Sequence, residues 1–328
     1  MKDIPWPVGA ATGIGSLPGT DIVEAVKTVF GELPELPYLP ELPARGPGAD
    51  MLGRSAGLLV ELPVELYAAR WRVAARPGAD ARRTSDLRER DLDTLTDHAA
   101  GYDGVLKIQS AGPWTLATNL ELRAGGPMLR DPGAVQDLTA SLAEGLRSHV
   151  AELGARLPGA RVLLQLDEAS LPAVLAGQVP TESGFGTLPA VDEQVVSSAL
   201  RTVVESVGVP VILHCCAPDA PIELIGQVGV VGMALDLDLV TALDPLGEAL
   251  DAGFGLLAGV VPTRGMTPKV EAVADRVRRL WRRLGLPEER LSTQVVVTQA
   301  CGLAGASPDY ARASLAASRD AARQLAQG

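Results

Sequence analysis

The sequence predicts an α/β fold, a single-domain (β/α)8 TIM barrel over residues 1–328. Short, continuously apolar runs alternate with helix-like segments through the second half, a pattern typical of parallel strands that are buried on both faces. The joints are short, which favours right-handed βαβ units. A length of 328 residues with 47% hydrophobic residues suits one such barrel. A doubly wound open sheet is the alternative.

Five strand–helix units are predicted after residue 160. The strands cover 161–168, 209–216, 230–238, 254–262 and 292–302, and helical spacing follows in 191–208, 219–229, 245–253, 269–285 and 308–327. Two earlier strands are predicted at 9–17 and 104–114. The eighth strand is expected between 34 and 77, where 36–46 and 67–78 are the candidates.

Composition excludes several classes of function. The formal net charge of −11 argues against a nucleic-acid partner and an anionic membrane surface, since both need a basic face. The N-terminus lacks the apolar core of a signal peptide, and no stretch of about twenty apolar residues could span a membrane. Three cysteines make a disulfide framework unexpected. We therefore expect a cytoplasmic protein with a metal site or a reactive thiol.

Polar residues stand where the predicted strands end. They are Ser16, Gln109, Asp167, Glu168, His214, Cys215, Cys216, Asp236, Asp238 and Cys301. Barrel enzymes carry their reactive groups at this end of the strands, so the pattern favours an enzyme over a scaffold. The other two histidines, His98 and His149, fall in helix-like segments and are expected at the surface.

The stretch "HCC" at 214–216 is the strongest sign of chemistry. Side chains alternate along a strand, so His214 and Cys216 can approach one ion while Cys215 points elsewhere. Cys301 ends another strand at the same mouth. Zinc binds imidazole nitrogen and thiolate sulfur, and three protein ligands leave a fourth position for substrate. The alternative interpretation is that these side chains simply pack at buried strand ends. Asp236 is the candidate fourth ligand, with Asp238 as its rival.

Four segments together resemble the catalytic barrel of cobalamin-independent methionine synthases. They are "GIGSLPG" (13–19), "QLDEAS" (165–170), "HCC" (214–216) and "CGLAG" (301–305). The order and rough spacing agree across nearly the whole chain. The broader superfamily also contains methylcobalamin:thiol methyltransferases and uroporphyrinogen decarboxylase.

The resemblance implies a zinc-dependent methyltransferase that converts homocysteine, bound as thiolate, to methionine. It implies His214, Cys216, Cys301 and an acid such as Asp236 as zinc ligands. It further implies Asp167 as a catalytic residue on the substrate ammonium, Glu41 as a second amine-binding acid, and the backbone of Ile14, Gly15 and Ser16 on the substrate carboxylate. Glu168 either orients a ligand or pairs with a basic residue.

The chain also departs from the family pattern. Ala169 replaces the proline of the Asp-Glu-Pro motif, and the family's glutamate ligand is replaced by the acid at 236 or 238. A chain of 328 residues is expected to lack the family's second, N-terminal barrel, which helps to bind folate.

The exact reaction stays open at this point. The methyl donor is either a methylfolate or a methyl-corrinoid carried by a partner protein, and the thiol is homocysteine or another small thiol. A lyase like uroporphyrinogen decarboxylase would use the same barrel for a different reaction, and a non-catalytic binding protein would use it for none.

Overall fold

A six-stranded parallel sheet forms the centre of the fold in the computed structural model, which describes residues 4–327. Strands β1 (Val64–Tyr67) and β2 (Arg70–Val73) form a separate antiparallel hairpin. The sheet contains β3 (Val105–Ala111), β4 (Arg161–Asp167), β5 (Val211–Cys215), β6 (Gly232–Asp236), β7 (Gly255–Val261) and β8 (Val295–Gln299), and their order in space is their order along the chain.

Twelve α-helices are present in the described residues, and most of them connect one strand to the next. They are α1 (Ile22–Glu32), α2 (Met51–Ala56), α3 (Ala79–His98), α4 (Pro113–Asn119), α5 (Pro132–Arg156), α6 (Leu171–Leu175), α7 (Glu193–Ser206), α8 (Ile222–Gln227), α9 (Leu243–Asp251), α10 (Val270–Arg283), α11 (Leu291–Gln294) and α12 (Pro308–Gln327). Aspartates at the N-cap positions, Asp21, Asp131 and Asp192, accept backbone N–H groups at the starts of α1, α5 and α7. Within the described chain, no helix is long and apolar enough to cross a membrane.

The sheet confirms the α/β class and six of the predicted strands, but the prediction of eight regular strands needs correction. Segments 9–17 and 36–46 form only isolated parallel bridges, from Ala11 to Val297 of β8, from Tyr38 to Lys107 of β3, and between Ser16 and Glu41. Prolines at 37 and 40 have no N–H to donate, which prevents a regular ladder there. The other candidate, 67–78, contributes to the hairpin instead.

The sheet curls around its own apolar core. One cluster collects a residue from each of the six strands together with residues from the N-terminal segments: Trp6, Ala10, Ile14, Leu36, Val105, Leu163, Ile212, Ala234, Leu257 and Val296. Glycines make room for the indole of Trp6, since a Cβ on Gly255 would lie 2.2 Å from its ring. A larger cluster lies between the strands and the helices. Polar side chains inside the sheet, such as Lys107, Gln165 and His214, lie closer to the carboxyl ends of the strands than this apolar layer does.

His149 differs from its predicted surface position. Its side chain is buried on α5, whereas His98 at the end of α3 is exposed, as predicted. Helical spacing identified both residues as helical, but it did not identify which face of α5 packs inward.

Candidate metal centre and substrate site

His214 lies near the end of β5 with a fixed ring orientation. Its Nδ1 is 3.1 Å from the backbone oxygen of Ala234 on the neighbouring strand β6. A ring that donates from Nδ1 to a carbonyl presents the lone pair of Nε2, which is the form that binds metals. Nε2 is buried and has no hydrogen-bond partner among the described residues. A buried polar atom of this kind needs a partner, and a metal ion would supply one.

Two half-buried thiols face this ring. Cys216 directly follows β5 and Cys301 follows β8, 85 residues later, yet their sulfur atoms are 3.1 Å apart. The ligand atoms of His214, Cys216 and Cys301 all lie within 4.8 Å of one another. Cys215 belongs to the outer apolar core, as strand alternation predicts. The structure thus brings the three predicted ligands together in a group that could hold a metal ion.

The electrostatics of the two thiols favours a thiolate. The hydrogen bond from Cys216 lowers the pKa of the Cys301 thiol to about 4, against the opposing effect of burial, and the nearby His214 lowers it further. The same contact, together with burial, raises the pKa of Cys216. Burial opposes a charge on the ring of His214, but the nearby Cys301 and Asp167 outweigh it and raise the pKa of His214. Thiolate sulfur and imidazole nitrogen together are a suitable donor set for a soft divalent metal.

The predicted fourth ligand is not part of this group. Asp236 ends β6, and its carboxylate accepts the backbone N–H of Asp238 at 3.0 Å. The rival, Asp238, is mostly exposed and forms an ion pair with Arg276. A fourth protein ligand therefore stays a prediction, and the ion pair of Asp238 makes Asp236 the better candidate.

Asp167 lies beside the metal group. It ends β4, and its ladder partner on β5 is His214. Its carboxylate accepts Nε2 of Gln165 at 2.7 Å. Burial raises its pKa to about 7, with His214 opposing that shift. A buried carboxylate of this kind favours a bound cation, such as the ammonium of a substrate.

The segment with Ile14, Gly15 and Ser16 runs along the same mouth. The backbone oxygens of all three residues are occupied by donors, whereas none of their N–H groups donates to a protein acceptor in the described chain. Glu41 forms the parallel bridge to Ser16, and its buried carboxylate accepts Nε2 of Gln109 at 3.2 Å. The predicted substrate-binding residues therefore lie in one region.

Gly302 joins this segment to the metal group. The N–H of Leu303 donates to the oxygen of Ser16 at 2.8 Å, and a Cβ on Gly302 would lie 2.2 Å from Oγ of Ser16. A larger residue at 302 would therefore force the hydroxyl of Ser16 to move. The substrate segment and the loop that carries Cys301 are thus held in direct contact.

Comparison with known proteins now identifies the family. A family model described as "Cobalamin-independent synthase, Catalytic domain" matches residues 9–324. The chain belongs to this family. Membership confirms the predicted resemblance and supports the predicted methyltransferase activity. A search of curated proteins finds no match.

Two solved structures share the fold of this synthase-family chain. One is a B12-independent methionine synthase from Shewanella sp. W3-18-1 in complex with selenomethionine, with 12% identity, a TM-score of 0.65 and coverage of 98% of both chains. The other is a methyltransferase from Methanosarcina mazei, with 15% identity, a TM-score of 0.57 and coverage of 98% of this chain and 94% of the other. Identities this low show a common fold and no more.

Glu168 has a different partner from the ones its position suggested. Its buried carboxylate accepts the N–H groups of Trp114 at 3.0 Å and Thr115 at 2.7 Å, and the hydroxyl of Thr115 at 2.8 Å. It therefore anchors the start of α4, and within residues 4–327 it pairs with no basic side chain. Gly112 permits this contact, because a Cβ there would lie 2.4 Å from Oε1 of Glu168.

Two polar residues inside the sheet, Lys107 and Gln165, were not identified by sequence reasoning as part of the site. Both are fully buried on strands and contact the backbone oxygen of Ile14. The available signal was spacing: Lys107 lies two residues before Gln109, and Gln165 two residues before Asp167, so each pair shares a strand face.

Proposed function

We propose that this chain is a zinc-dependent methyltransferase that binds homocysteine as the thiolate and methylates it to methionine. One observation carries the proposal, namely the convergence of Nε2 of His214 with the sulfur atoms of Cys216 and Cys301. We further propose that the chain forms one catalytic domain, in which the bridged segments 9–17 and 36–46 complete an eight-stranded barrel.

Each residue of the site has an assigned role. His214, Cys216 and Cys301 would hold zinc, with Asp236 as fourth ligand after exchange of its hydrogen bond to Asp238. When bound, zinc lowers the pKa of a substrate thiol and keeps the sulfur as the nucleophilic thiolate.

The amino-acid end of the substrate is bound by the chain itself. Asp167 and Glu41 accept the substrate ammonium in charge-assisted hydrogen bonds. The free N–H groups of Ile14, Gly15 and Ser16 orient the substrate carboxylate. These contacts hold the sulfur in one position relative to the incoming methyl group.

The methyl transfer is a displacement at carbon. A lone pair on the substrate sulfur forms the new S–C bond while the bond between the donor and the methyl group breaks. The electron pair of the broken bond stays on the donor. The donor is a methylfolate or a methyl-corrinoid on a partner protein, and direct assay distinguishes the two.

A decarboxylating lyase is not favoured at this site. A substrate with several carboxylates needs available positive side chains, whereas this mouth carries the carboxylates of Glu41 and Asp167. The two nearby cations are already engaged, Lys107 with the oxygen of Ile14 and Arg54 with Asp91. Repulsion between like charges would oppose the binding of such a substrate. Another small thiol on the same metal site remains the second candidate.

Metal content tests the proposal. Elemental analysis of protein purified without a histidine tag should find about one zinc per chain, and Cys301→Ser should lose most of it. Cys215→Ser is the matched control, since Cys215 lies outside the ligand group. The zinc-loaded parent would then be assayed with homocysteine and each methyl donor in turn.

A zinc-free parent would contradict this proposal. If the freshly reduced parent contains no zinc and takes none up when zinc is added, the thiol-activation site is wrong.

A further inference from the structure

A buried hydrogen-bond network connects the three parts of the proposed substrate site. Lys107 Nζ donates to the oxygen of Ile14 at 3.1 Å and to Oε1 of Gln109 at 3.3 Å. Gln109 in turn donates from Nε2 to Oε1 of Glu41 at 3.2 Å. On the other side, Gln165 Nε2 donates to the same Ile14 oxygen at 2.8 Å and to Asp167 at 2.7 Å. The network therefore runs from Glu41 through Lys107 to Asp167.

Lys107 occupies the centre of this network. Its side chain has no exposed surface, and its ammonium also lies 5.1 Å from the ring centroid of Tyr38. Burial lowers its pKa to about 7, and the nearby Asp167 and Glu41 oppose that effect. A buried charge is expensive to desolvate, and apolar replacements of buried ionic groups are often neutral or stabilising. Stability of the fold alone is therefore a weak reason for a lysine here.

The charges around Lys107 match an amino-acid ligand. Glu41 and Asp167 are two buried carboxylates near one buried lysine. Glu41 has a second cation beside it, since Nε of Arg54 lies 3.9 Å from its Oε1, but Arg54 also pairs with Asp91. Asp167 has no ion-pair partner within 4 Å among the described residues, and the ammonium of an amino-acid thiol would supply one. Without Lys107 the Ile14 oxygen and Oε1 of Gln109 would each lose a buried donor, and the positions of Glu41 and Asp167 relative to the ammonium would be less well fixed.

We propose that Lys107 is a positioning residue that holds the backbone at Ile14 and keeps Glu41 and Asp167 in place for the ammonium group of the substrate. This inference rests on the proposed function, because it assumes a thiol that carries an amino-acid group. Lys107 acts through Ile14, Glu41 and Asp167 and touches neither the reacting sulfur nor the metal ligands.

The test compares two thiols on the zinc-loaded full chain and its Lys107→Met variant. Homocysteine uses the amino-acid site, whereas 2-mercaptoethanol offers a thiol with neither an ammonium nor a carboxylate group. Titration calorimetry should show that Lys107→Met weakens homocysteine binding about 10- to 100-fold, the effect of losing a charged hydrogen bond. Binding of 2-mercaptoethanol should change less than about twofold.

Further measurements separate positioning from general damage. Zinc content and the melting temperature should match those of the parent, and KM for homocysteine should rise much more than kcat falls. Lys27→Met is the matched control, because Lys27 is exposed on α1. Gln165→Leu is a second variant, which removes the other donor to the Ile14 oxygen and should weaken homocysteine binding alone.

Two results would overturn the inference while the proposed function stands. One is unchanged homocysteine affinity in Lys107→Met and Gln165→Leu, and the other is an equal loss for both thiols. A parent that binds zinc but neither thiol, or that binds no zinc, refutes the proposed function and this inference with it.

Discussion

Single residues of the site are fixed by neighbours on adjacent strands. The orientation of His214 depends on the Ala234 oxygen of β6, and Asp167 is held by Gln165 on its own strand. Each contact leaves one functional atom available, Nε2 of the ring and one carboxylate oxygen. Such preorganisation reduces the entropy lost when a ligand binds.

Replacing Asp167 tests the proposed ammonium contact. Asp167→Asn keeps the shape but removes the charge, so KM for homocysteine should rise about 10- to 100-fold, as expected for a charge-assisted hydrogen bond. Zinc content should not change, because Asp167 is outside the ligand group. Steady-state kinetics with parallel metal analysis measures both.

The control is Asp251→Asn, a mostly exposed aspartate that pairs with Arg290. Its KM should stay within about twofold of the parent, as is usual for surface substitutions. An unchanged KM in Asp167→Asn would assign the ammonium contact to another residue.

Among the elements, α4 shows how a carboxylate next to the site can have a structural role. The helix begins directly after β3, and its first N–H groups lie inside the protein, away from water. Glu168, one residue after β4, supplies the acceptor they need. The adjacent acids Asp167 and Glu168 thus face opposite sides of the sheet. Asp167 faces the proposed substrate site, whereas Glu168 holds the start of α4.

Removing this anchor should destabilise the fold. Glu168→Ala leaves buried donors without an acceptor, and we expect a loss of about 2–4 kcal/mol in the free energy of unfolding. Urea denaturation followed by circular dichroism measures it. Glu144→Ala is the control, because its pair with Arg147 is exposed to solvent and its loss should leave the urea midpoint nearly unchanged. Equal effects of the two substitutions would disprove the anchoring role.

For the whole molecule, the buried His149 links stability to pH. Burial, together with the charges of Arg88, Arg54 and Arg156, lowers its pKa to about 3. In the unfolded chain a histidine has a pKa near 6.5. Between pH 3 and pH 6.5, roughly, the unfolded state therefore binds a proton at His149 and the native state does not. Stability therefore falls as the pH drops below about 6.5.

The size of this effect can be measured. Between pH 7 and pH 5 the contribution of His149 should be about 2 kcal/mol, from 1.36 kcal/mol per pKa unit over roughly 1.5 units. Urea unfolding of the metal-free protein at both pH values should show that His149→Gln loses about 2 kcal/mol less than the parent. His98→Gln, at an exposed position, should behave like the parent. Identical pH dependence in all three proteins would contradict the assignment.

Elements with regular local patterns could be predicted before the structure was known. Continuous apolar runs predicted β3 to β8, because a strand buried on both faces has no polar side to encode. The polar residues after those runs predicted the metal group. Strand ends of a parallel sheet meet at one edge, so His214, Cys216 and Cys301 could be placed together without knowledge of the packing.

Features that depend on contacts between residues far apart in the chain became visible in the folded structure alone. Segments 9–17 and 36–46 pair with the edge strands of the sheet only through isolated bridges. Local periodicity does not reveal this pairing, because prolines interrupt segment 36–46. The partner of Glu168 is a helix start 53 residues away. Lys107 is a lone charge in an apolar strand, and its place in the site emerged only when folding put its ammonium against the oxygen of Ile14, 93 residues earlier. Sequence patterns record which residues are buried, whereas the partner that each buried charge meets depends on how the strands close around it.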